Sequence, residues 1–477
     1  CLETGIDIDH EVRKQGLLHK DNLLGTTLVD MYIKCNALEK AQEVFDQLVV
    51  RDVVSWSALI VGYAEHGFGN EALKCFKHMK DQGVSPSAIT YIGVLKACGI
   101  VGSLEIGEDI YAEIRKQGLL RKNIVLGGSL VDMYAKCGVP KKAQEVFDQL
   151  PVQDLVSWTS LLFGHAQLGQ AKMVLDQYRI MIRDGIMPDQ ITFLVLLNAC
   201  SHGGLLEEGE QLFNEMLHVY HLNPTLEHYT CMIDLFGRAG HFDKAKMLLN
   251  KVPNSDYGPL LLAILGACGK WGNVKLGRWA FEQAVKLDEK CASAYVCMKN
   301  IYARAGMQME ADEIESQRVK SKAWMIPGCS WWSDMSRNVH SFLAGDKSHP
   351  QTIHIYAKLD EIHMKLAREG YSPSPHCLSQ AIPCEDNEDG LYVYSENLAL
   401  ACALINSPKG APLRVTKNMK MCEECHSYTT LVSVIEKCRI QVNDQNRVHI
   451  FENGRCICED TTDVELSSYG FRQFSYD

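Results

Sequence analysis

The chain has 477 residues, 46% of them hydrophobic and 22% charged, with a formal net charge of −11. That length allows several domains, or one repeat array with a cap, and the composition is that of an ordinary water-soluble protein. The acidic balance argues against a protein that simply clamps phosphates, though not against one that reads the base edges of a single strand. Apolar runs such as Leu260 to Leu265 with its flanks fall far short of the roughly 20 residues of a membrane helix. Nineteen cysteines at scattered positions read as reduced interior thiols rather than a disulfide framework. The first residue is Cys, not Met, so the reading expects a missing N-terminal portion, with any targeting segment inside it.

In chain order, the first signal is self-similarity. Arg13-Lys14-Gln15-Gly16-Leu17-Leu18 recurs at Arg115 to Leu120, and Leu28-Val29-Asp30-Met31-Tyr32 recurs at Leu130 to Tyr134. Ala41 to Leu48 recurs at Ala143 to Leu150, and Val54-Ser55-Trp56 at Val156-Ser157-Trp158. All four pairs are 102 residues apart, the mark of a duplicated block. Within a block, Ala41, Val44, Phe45 and Leu48 fall at i, i+3, i+4 and i+7, which predicts an amphipathic helix with one buried stripe. Ala72, Cys75, Phe76 and Met79 repeat the pattern. Gly83 followed by Pro86, and Gly185 followed by Pro188, are helix stops at matching places. The expectation is a string of helix-turn-helix units of about 34 residues that must stack to bury their stripes.

The wording of these units, as in Leu130-Val131-Asp132-Met133-Tyr134-Ala135-Lys136-Cys137-Gly138, Ala143-Gln144-Glu145-Val146-Phe147-Asp148 and Leu155-Val156-Ser157-Trp158, closely resembles pentatricopeptide repeats (PPR) of the plant editing-factor subclass. That subclass alternates three unit lengths. The same alternation is visible in residues 22–52, 53–87 and 88–123, then 124–154, 155–189 and 190–225, with 226–256 as a final short unit. Residues 1–21 read as the tail of a truncated unit. The resemblance implies a mainly α chain: a right-handed α-solenoid of helix-turn-helix units whose first helices line a groove for single-stranded RNA.

In that family one base is read per unit, by the unit's fifth residue and its last. The readers implied here are Thr26 with Asp52, Ser57 with Ser87, Gly128 with Asp154, Thr159 with Asp189, and Thr230 with Asp256. The resemblance implies that Thr with Asp favours G. Gly128 offers no side chain, so its unit is expected to be nearly mute. Ile92 and Leu194 likewise make poor readers of the two longest units. The same Thr and Asp residues would also cap helices well, and capping is compatible with reading.

Residues 257–323 resemble the two extension units that follow the repeats in this subclass, as in Leu265-Gly266-Ala267-Cys268 and Asn300-Ile301-Tyr302-Ala303. Residues 324–460 resemble the family's deaminase-like domain, named DYW for its closing Asp-Tyr-Trp, a small α/β zinc-binding fold. Pro327-Gly328-Cys329-Ser330-Trp331, Val339-His340-Ser341-Phe342 and Asp346-Lys347-Ser348-His349-Pro350 carry that match. Zinc deaminases show His-x-Glu and then Cys-x-x-Cys, the Glu being a proton shuttle and not a ligand. Cys422-Glu423-Glu424-Cys425 stands in place and Glu396 matches the shuttle, but Tyr394 occupies the position of the family's His. A neutral phenol with a pKa of about 10 is a poor zinc ligand. Two thiolates alone cannot fix a catalytic zinc with one open position, so this site is expected to be weak or empty. The other reading of Cys422 and Cys425 is a free thiol pair or a redox motif. His426, His449, Cys456 and Cys458 match the family's second zinc site, a closed Cys₂His₂ set suited to structure. Residues 461–477 have no family match.

Three functions remain open on the sequence. The first is a site-recognition factor for C-to-U editing of mitochondrial or chloroplast transcripts, its own deaminase domain inactive and the chemistry supplied by a separate DYW-type deaminase or another editing-complex protein. The second is an active zinc-dependent cytidine deaminase that tolerates Tyr394. The third is a helical RNA-binding scaffold with no editing role. Organelle location follows from the resemblance alone.

Overall fold

The computed structural model describes residues 2–18, 22–121, 123–252, 257–323, 328–334, 339–371, 394–444 and 447–456. They form two compact units, Cys1–His165 and Ala166–Asp477. No helix among the described residues is long and apolar enough to cross a membrane.

The first unit is built of helix hairpins. After α1 (Leu2–Lys14) come α2 (Asn22–Lys34) and α3 (Leu38–Asp46), α4 (Val53–Glu65) and α5 (Gly69–Asp81), α6 (Ala88–Val101) and α7 (Leu104–Gln117), and α8 (Ile124–Lys136) and α9 (Pro140–Asp148). The helix α10 (Leu155–Gln167) runs through the boundary between the units. The two helices of a hairpin differ in kind. Second helices carry one apolar stripe, such as Ala41, Val44 and Phe45 in α3 and Ala143, Val146 and Phe147 in α9. First helices are apolar on nearly every side; α4 buries Ser55, Trp56, Ser57, Leu59, Ile60, Gly62 and Ala64. A helix of that kind needs neighbours all round. Accordingly α2, α4, α6 and α8 pack in succession, each also against its own second helix. Aromatic pairs fasten one hairpin to the next. Phe45 meets Trp56 edge to face at 4.6 Å between ring centroids, and Phe147 meets Trp158 at 4.6 Å, the same contact one block later.

Helix entrances are equally regular. First helices are capped by side chains: Asp52 Oδ1 accepts from the amides of Val54 and Ser55, and Ser87 forms a reciprocal box with Thr90. Second helices start at Ala37, Phe68 and Val139 with no side-chain cap. Gly83, with φ +73°, ends α5 in the left-handed region that glycine adopts without strain.

The second unit continues the hairpins with α11 (Ala171–Arg183), α12 (Gln190–Gly203), α13 (Leu206–His218), α14 (Leu226–Arg238), α15 (Phe242–Leu249), α16 (Gly258–Trp271), α17 (Val274–Leu287), α18 (Ala292–Arg304) and α19 (Gln308–Lys320). Here α12, α14, α16 and α18 pack in succession. A six-stranded sheet of order β2-β1-β3-β4-β5-β6 follows, made of β1 (Cys329–Ser333), β2 (Val339–Leu343), β3 (Leu413–Lys417), β4 (Ile440–Asn443), β5 (Val448–Glu452) and β6 (Arg455–Cys456). Strands β3 and β4 are parallel, joined through α22 (Glu423–Ile435), and the other pairs are antiparallel. All four residues of β4 are buried, as for a central strand covered on both faces. Helices α20 (Thr352–Arg368) and α21 (Ser395–Asn406) complete the module, whose core includes Leu359, Ile362, Leu398, Val415, Val432, Ile440 and Phe451. The mainly α chain with a small α/β module at its end is the fold class expected from the sequence.

Close packing of first helices makes a test possible. A Cβ on Gly164 would stand 2.9 Å from Cβ of Ala135 and 3.2 Å from its Cα, so Gly164→Val is expected to cost about 1–3 kcal/mol by overpacking. Gly266, exposed within α16, has nothing within 4 Å of such an atom, and Gly266→Ala is expected to gain about 0.4–1 kcal/mol. Urea midpoints of the two variants moving in the same direction would contradict this packing.

Candidate functional site

The residues assigned as readers occupy equivalent places. Thr26, Ser57, Gly128, Thr159 and Thr230 are each the fifth residue of a helix, in α2, α4, α8, α10 and α14. Their hydroxyls turn back on the helix: Thr26 Oγ1 donates to the carbonyl of Asn22 at 3.0 Å, Ser57 Oγ to Val53 at 2.6 Å, and Thr230 Oγ1 to Leu226 at 2.8 Å. Thr26 and Ser57 are buried, while Thr159 and Thr230 are half-buried. The partner residues stand at the next helix entrance and act as caps there. Asp154 Oδ1 accepts from the Ser157 amide at 2.9 Å, and Asp189 Oδ1 accepts from the Thr192 amide at 2.8 Å. Asp256 lies outside the described residues.

Stacking brings a unit's own residues together across the hairpin. Ser57 Oγ lies 3.5 Å from Ser87 Oγ and 2.7 Å from Thr90 Oγ1. Asn22 Nδ2 donates to Asp52 Oδ2 at 2.9 Å, so one carboxylate oxygen caps α4 while the other reaches the start of α2. At Gly128 a Cβ would meet Val156 at 3.6 Å and the Ser157 amide nitrogen at 3.9 Å, the first turn of α10. The fifth position thus abuts the entrance of the following first helix at Ser57 and Gly128, and in the 22–52 unit the first residue, Asn22, reaches it.

In the C-terminal module two helix entrances carry the candidate chemistry. Tyr394 is the residue at the entrance of α21, followed by the fully buried Glu396. Cys422 is the entrance residue of α22, and its sulfur accepts from the Cys425 amide at 3.3 Å. Thr429 spans the two groups: its Oγ1 lies 2.8 Å from the Cys425 carbonyl and 3.4 Å from Glu396 Oε1. Contact with Cys422, then burial, then the charge of Glu396 raise the Cys425 thiol well above its ordinary value. Glu396 is also ion-paired through Oε2 to Lys417, itself buried. Burial works against the Lys417 charge, but Glu396, Cys425 and Cys422 outweigh it and leave the ammonium more basic than usual.

Among the described residues, no third His, Cys, Asp or Glu offers a ligand atom within 4.8 Å of both Cys422 and Cys425. These residues do not fit a zinc held by three protein ligands. The other set does fit. Ligand atoms of His426, His449 and Cys456 all lie within 4.8 Å of one another. Asp444 Oδ2 stands 3.3 Å from Nε2 of His449, the carboxylate that commonly orients a metal-bound imidazole. Burial pushes the His449 imidazole down, while Asp444 and Cys456 hold it up to about 9. Cys458 lies outside the described residues.

Sequence reading missed Lys417, Thr429 and Asp444. Strand alternation carried a signal for the first: Leu413, Val415 and Lys417 share the buried face of β3, and a lysine there needs a carboxylate. Thr429 had none, since it reaches Glu396, 33 residues earlier in the chain. Arg447 is a further omission; its Nη2 donates to the His202 carbonyl in α12 at 3.2 Å, tying the sheet module to the helices.

Family models match along the chain in a fixed order. The PPR repeat matches residues 26–53, 128–154, 191–218 and 227–256, and the PPR repeat family 51–99 and 153–202. The E motif matches 271–333, the E+ motif 339–366, and the DYW family of nucleic acid deaminases 370–462. A putative pentatricopeptide repeat-containing protein of Arabidopsis thaliana is 35% identical over 96% of this chain and 63% of its own length. A chloroplastic one is 38% identical over 91% of this chain and 58% of its own length. A mitochondrial one is 35% identical over 94% of this chain and 70% of its own length. The chain thus spans less than two thirds of the first two relatives. With repeats, E and E+ motifs and the deaminase module in this order, and relatives matched across almost the whole chain, it belongs to the pentatricopeptide-repeat proteins of the editing-factor type that end in a DYW module.

Proposed function

We propose that this chain recognises a site for C-to-U editing in a mitochondrial or chloroplast transcript, binding single-stranded RNA through its repeats, and that its own deaminase module is silent. The observation that carries the reading is the meeting of a unit's fifth and last residues, Ser57 and Ser87, at 3.5 Å across the hairpin. Two polar side chains so placed can address one base together. Relatives named as chloroplastic and mitochondrial support an organellar setting. The deaminating partner would be a separate chain.

Silence of the module rests on its metal ligands: among the described residues, no third His, Cys, Asp or Glu offers Cys422 and Cys425 a ligand atom within 4.8 Å of both. Tyr394 stands where an imidazole would complete the set with Cys422 and Cys425. Zinc at His426, His449 and Cys456 would instead contribute folding energy to the module.

Two experiments test this. For reading, Asp52→Asn keeps an oxygen to cap α4 but replaces an acceptor by a donor. It should lower affinity for an RNA with G at that unit's position by roughly tenfold, the scale of one base-edge contact, with the melting temperature nearly unchanged. Equal binding of the G-bearing RNA by the variant and the unmodified chain would refute the assignment. For the module, Cys456→Ser should remove one zinc per chain and lower its unfolding temperature, while Tyr394→His should add one zinc and some C-to-U conversion. Turnover by the unmodified chain, abolished by Glu396→Ala, would show the module to be active.

A further inference from the structure

Away from both cysteine sets of the deaminase-like signature, three side chains converge from separate elements. His340 lies on β2, His349 in the connection before α20, and Cys402 in the middle of α21. Their ligand atoms lie within 4.8 Å of one another, and Nδ1 of His340 is 2.9 Å from Nε2 of His349. Cys402 is buried, and the two histidines are half-buried, so the cluster has a floor of sulfur and an approach from solvent. Apolar rings wall it: Trp332 stacks on His340 at 5.4 Å between centroids, and Phe342 lies 5.1 Å from His349.

We infer that His340, His349 and Cys402 form an additional binding site for a borderline-soft divalent cation, with zinc the natural occupant. Two imidazole nitrogens and one thiol suit zinc or cobalt, whereas magnesium and calcium prefer oxygen. The surroundings are those of a metal site. Asp334 Oδ2 lies 3.4 Å from Nε2 of His340, the nitrogen facing away from the cluster, which places a carboxylate behind a ligating imidazole. Asn406 Nδ2 lies 3.5 Å from the Cys402 sulfur and can donate to a thiolate.

The balance of protons is explicit. Without a cation, one proton sits between His340 Nδ1 and His349 Nε2, and another on Cys402. Binding moves the first to His349 Nδ1 and releases the second to solvent, which frees the lone pair of each facing nitrogen and the thiolate for the cation. The remaining proton of His349 then sits on Nδ1, which now accepts from the Gln351 amide at 3.1 Å, so that contact is given up. Two hydrogen bonds, between His340 and His349 and from Gln351 to His349, are exchanged for three metal–ligand bonds. The occupied site would pin β2 and the residues after it to α21, six positions beyond Glu396 on the same helix. This inference is independent of whether the repeats read RNA.

The full chain, stripped with a chelator and refilled with Co²⁺, tests it. Cys402→Ala and His340→Gln should each lose one tightly bound cobalt per chain, and Cys402→Ala should also lose part of the sulfur-to-cobalt absorption in the near ultraviolet. Cys456→Ser should lose a different equivalent, so the Cys402/Cys456 double variant loses two. His340 is half-buried, so His340→Gln answers the question should Cys402→Ala fail to fold; equal far-ultraviolet circular dichroism identifies a folded variant. Unchanged cobalt stoichiometry in folded His340→Gln would overturn the site. RNA affinity of these variants reports separately on the repeats.

Discussion

First helices that are apolar on nearly every side impose the one constraint from which the rest follows. No isolated hairpin can bury α4 or α6, whose buried residues point in several directions. Each needs a first helix before it, another after it, and a second helix at its flank. Burial of such a row sets the unit length, since each hairpin must return the chain to the same edge before the next one starts. It also sets what lies at that edge. Within each compact unit the first helices pack in a row, so their entrances form a series and the residues that cap them follow in order.

That geometry explains why so much was legible before any coordinates. Repetition at a spacing of 102 residues exposed the hairpins, because the contact of Phe45 with Trp56 recurs one block later as Phe147 with Trp158. Helix starts were legible because capping chemistry is local: an Asp or Ser beside an apolar run has little else to do. The fifth and last positions came from family resemblance, and sequence could not say that Thr26 and Ser57 would be buried. Their depth depends on how closely the following helix approaches, a tertiary quantity.

The C-terminal module was legible only in part, for the opposite reason. Its pairings are non-local. Glu396 and Lys417 sit 21 residues apart on a helix and a strand, and His340, His349 and Cys402 come from three elements with no shared period. Cys402 within Leu398-Ala399-Leu400-Ala401-Cys402-Ala403 reads as ordinary core, and burial alone would keep its thiol protonated, up to about 11. Cys-x-x-Cys was visible because a helix entrance puts both sulfurs on one turn. Its missing third partner was visible too, as Tyr394. What could not be seen was that Lys417, on a strand, pairs with Glu396.

If the cap residues also address bases, as proposed, that double duty has an evolutionary consequence. A residue that holds open the start of a buried helix can be exchanged cheaply only within the small set Asp, Asn, Ser and Thr, because Ala there costs about 1 kcal/mol. The alphabet available at each unit's last position is therefore restricted by folding before any ligand selects among its letters. Within that set, Asp and Asn differ by one donor for one acceptor and almost nothing in helix stability. A lineage carrying this scaffold can drift between opposite hydrogen-bonding preferences at one position by single substitutions that the fold does not penalise, and its specificity can change while its stability stays still.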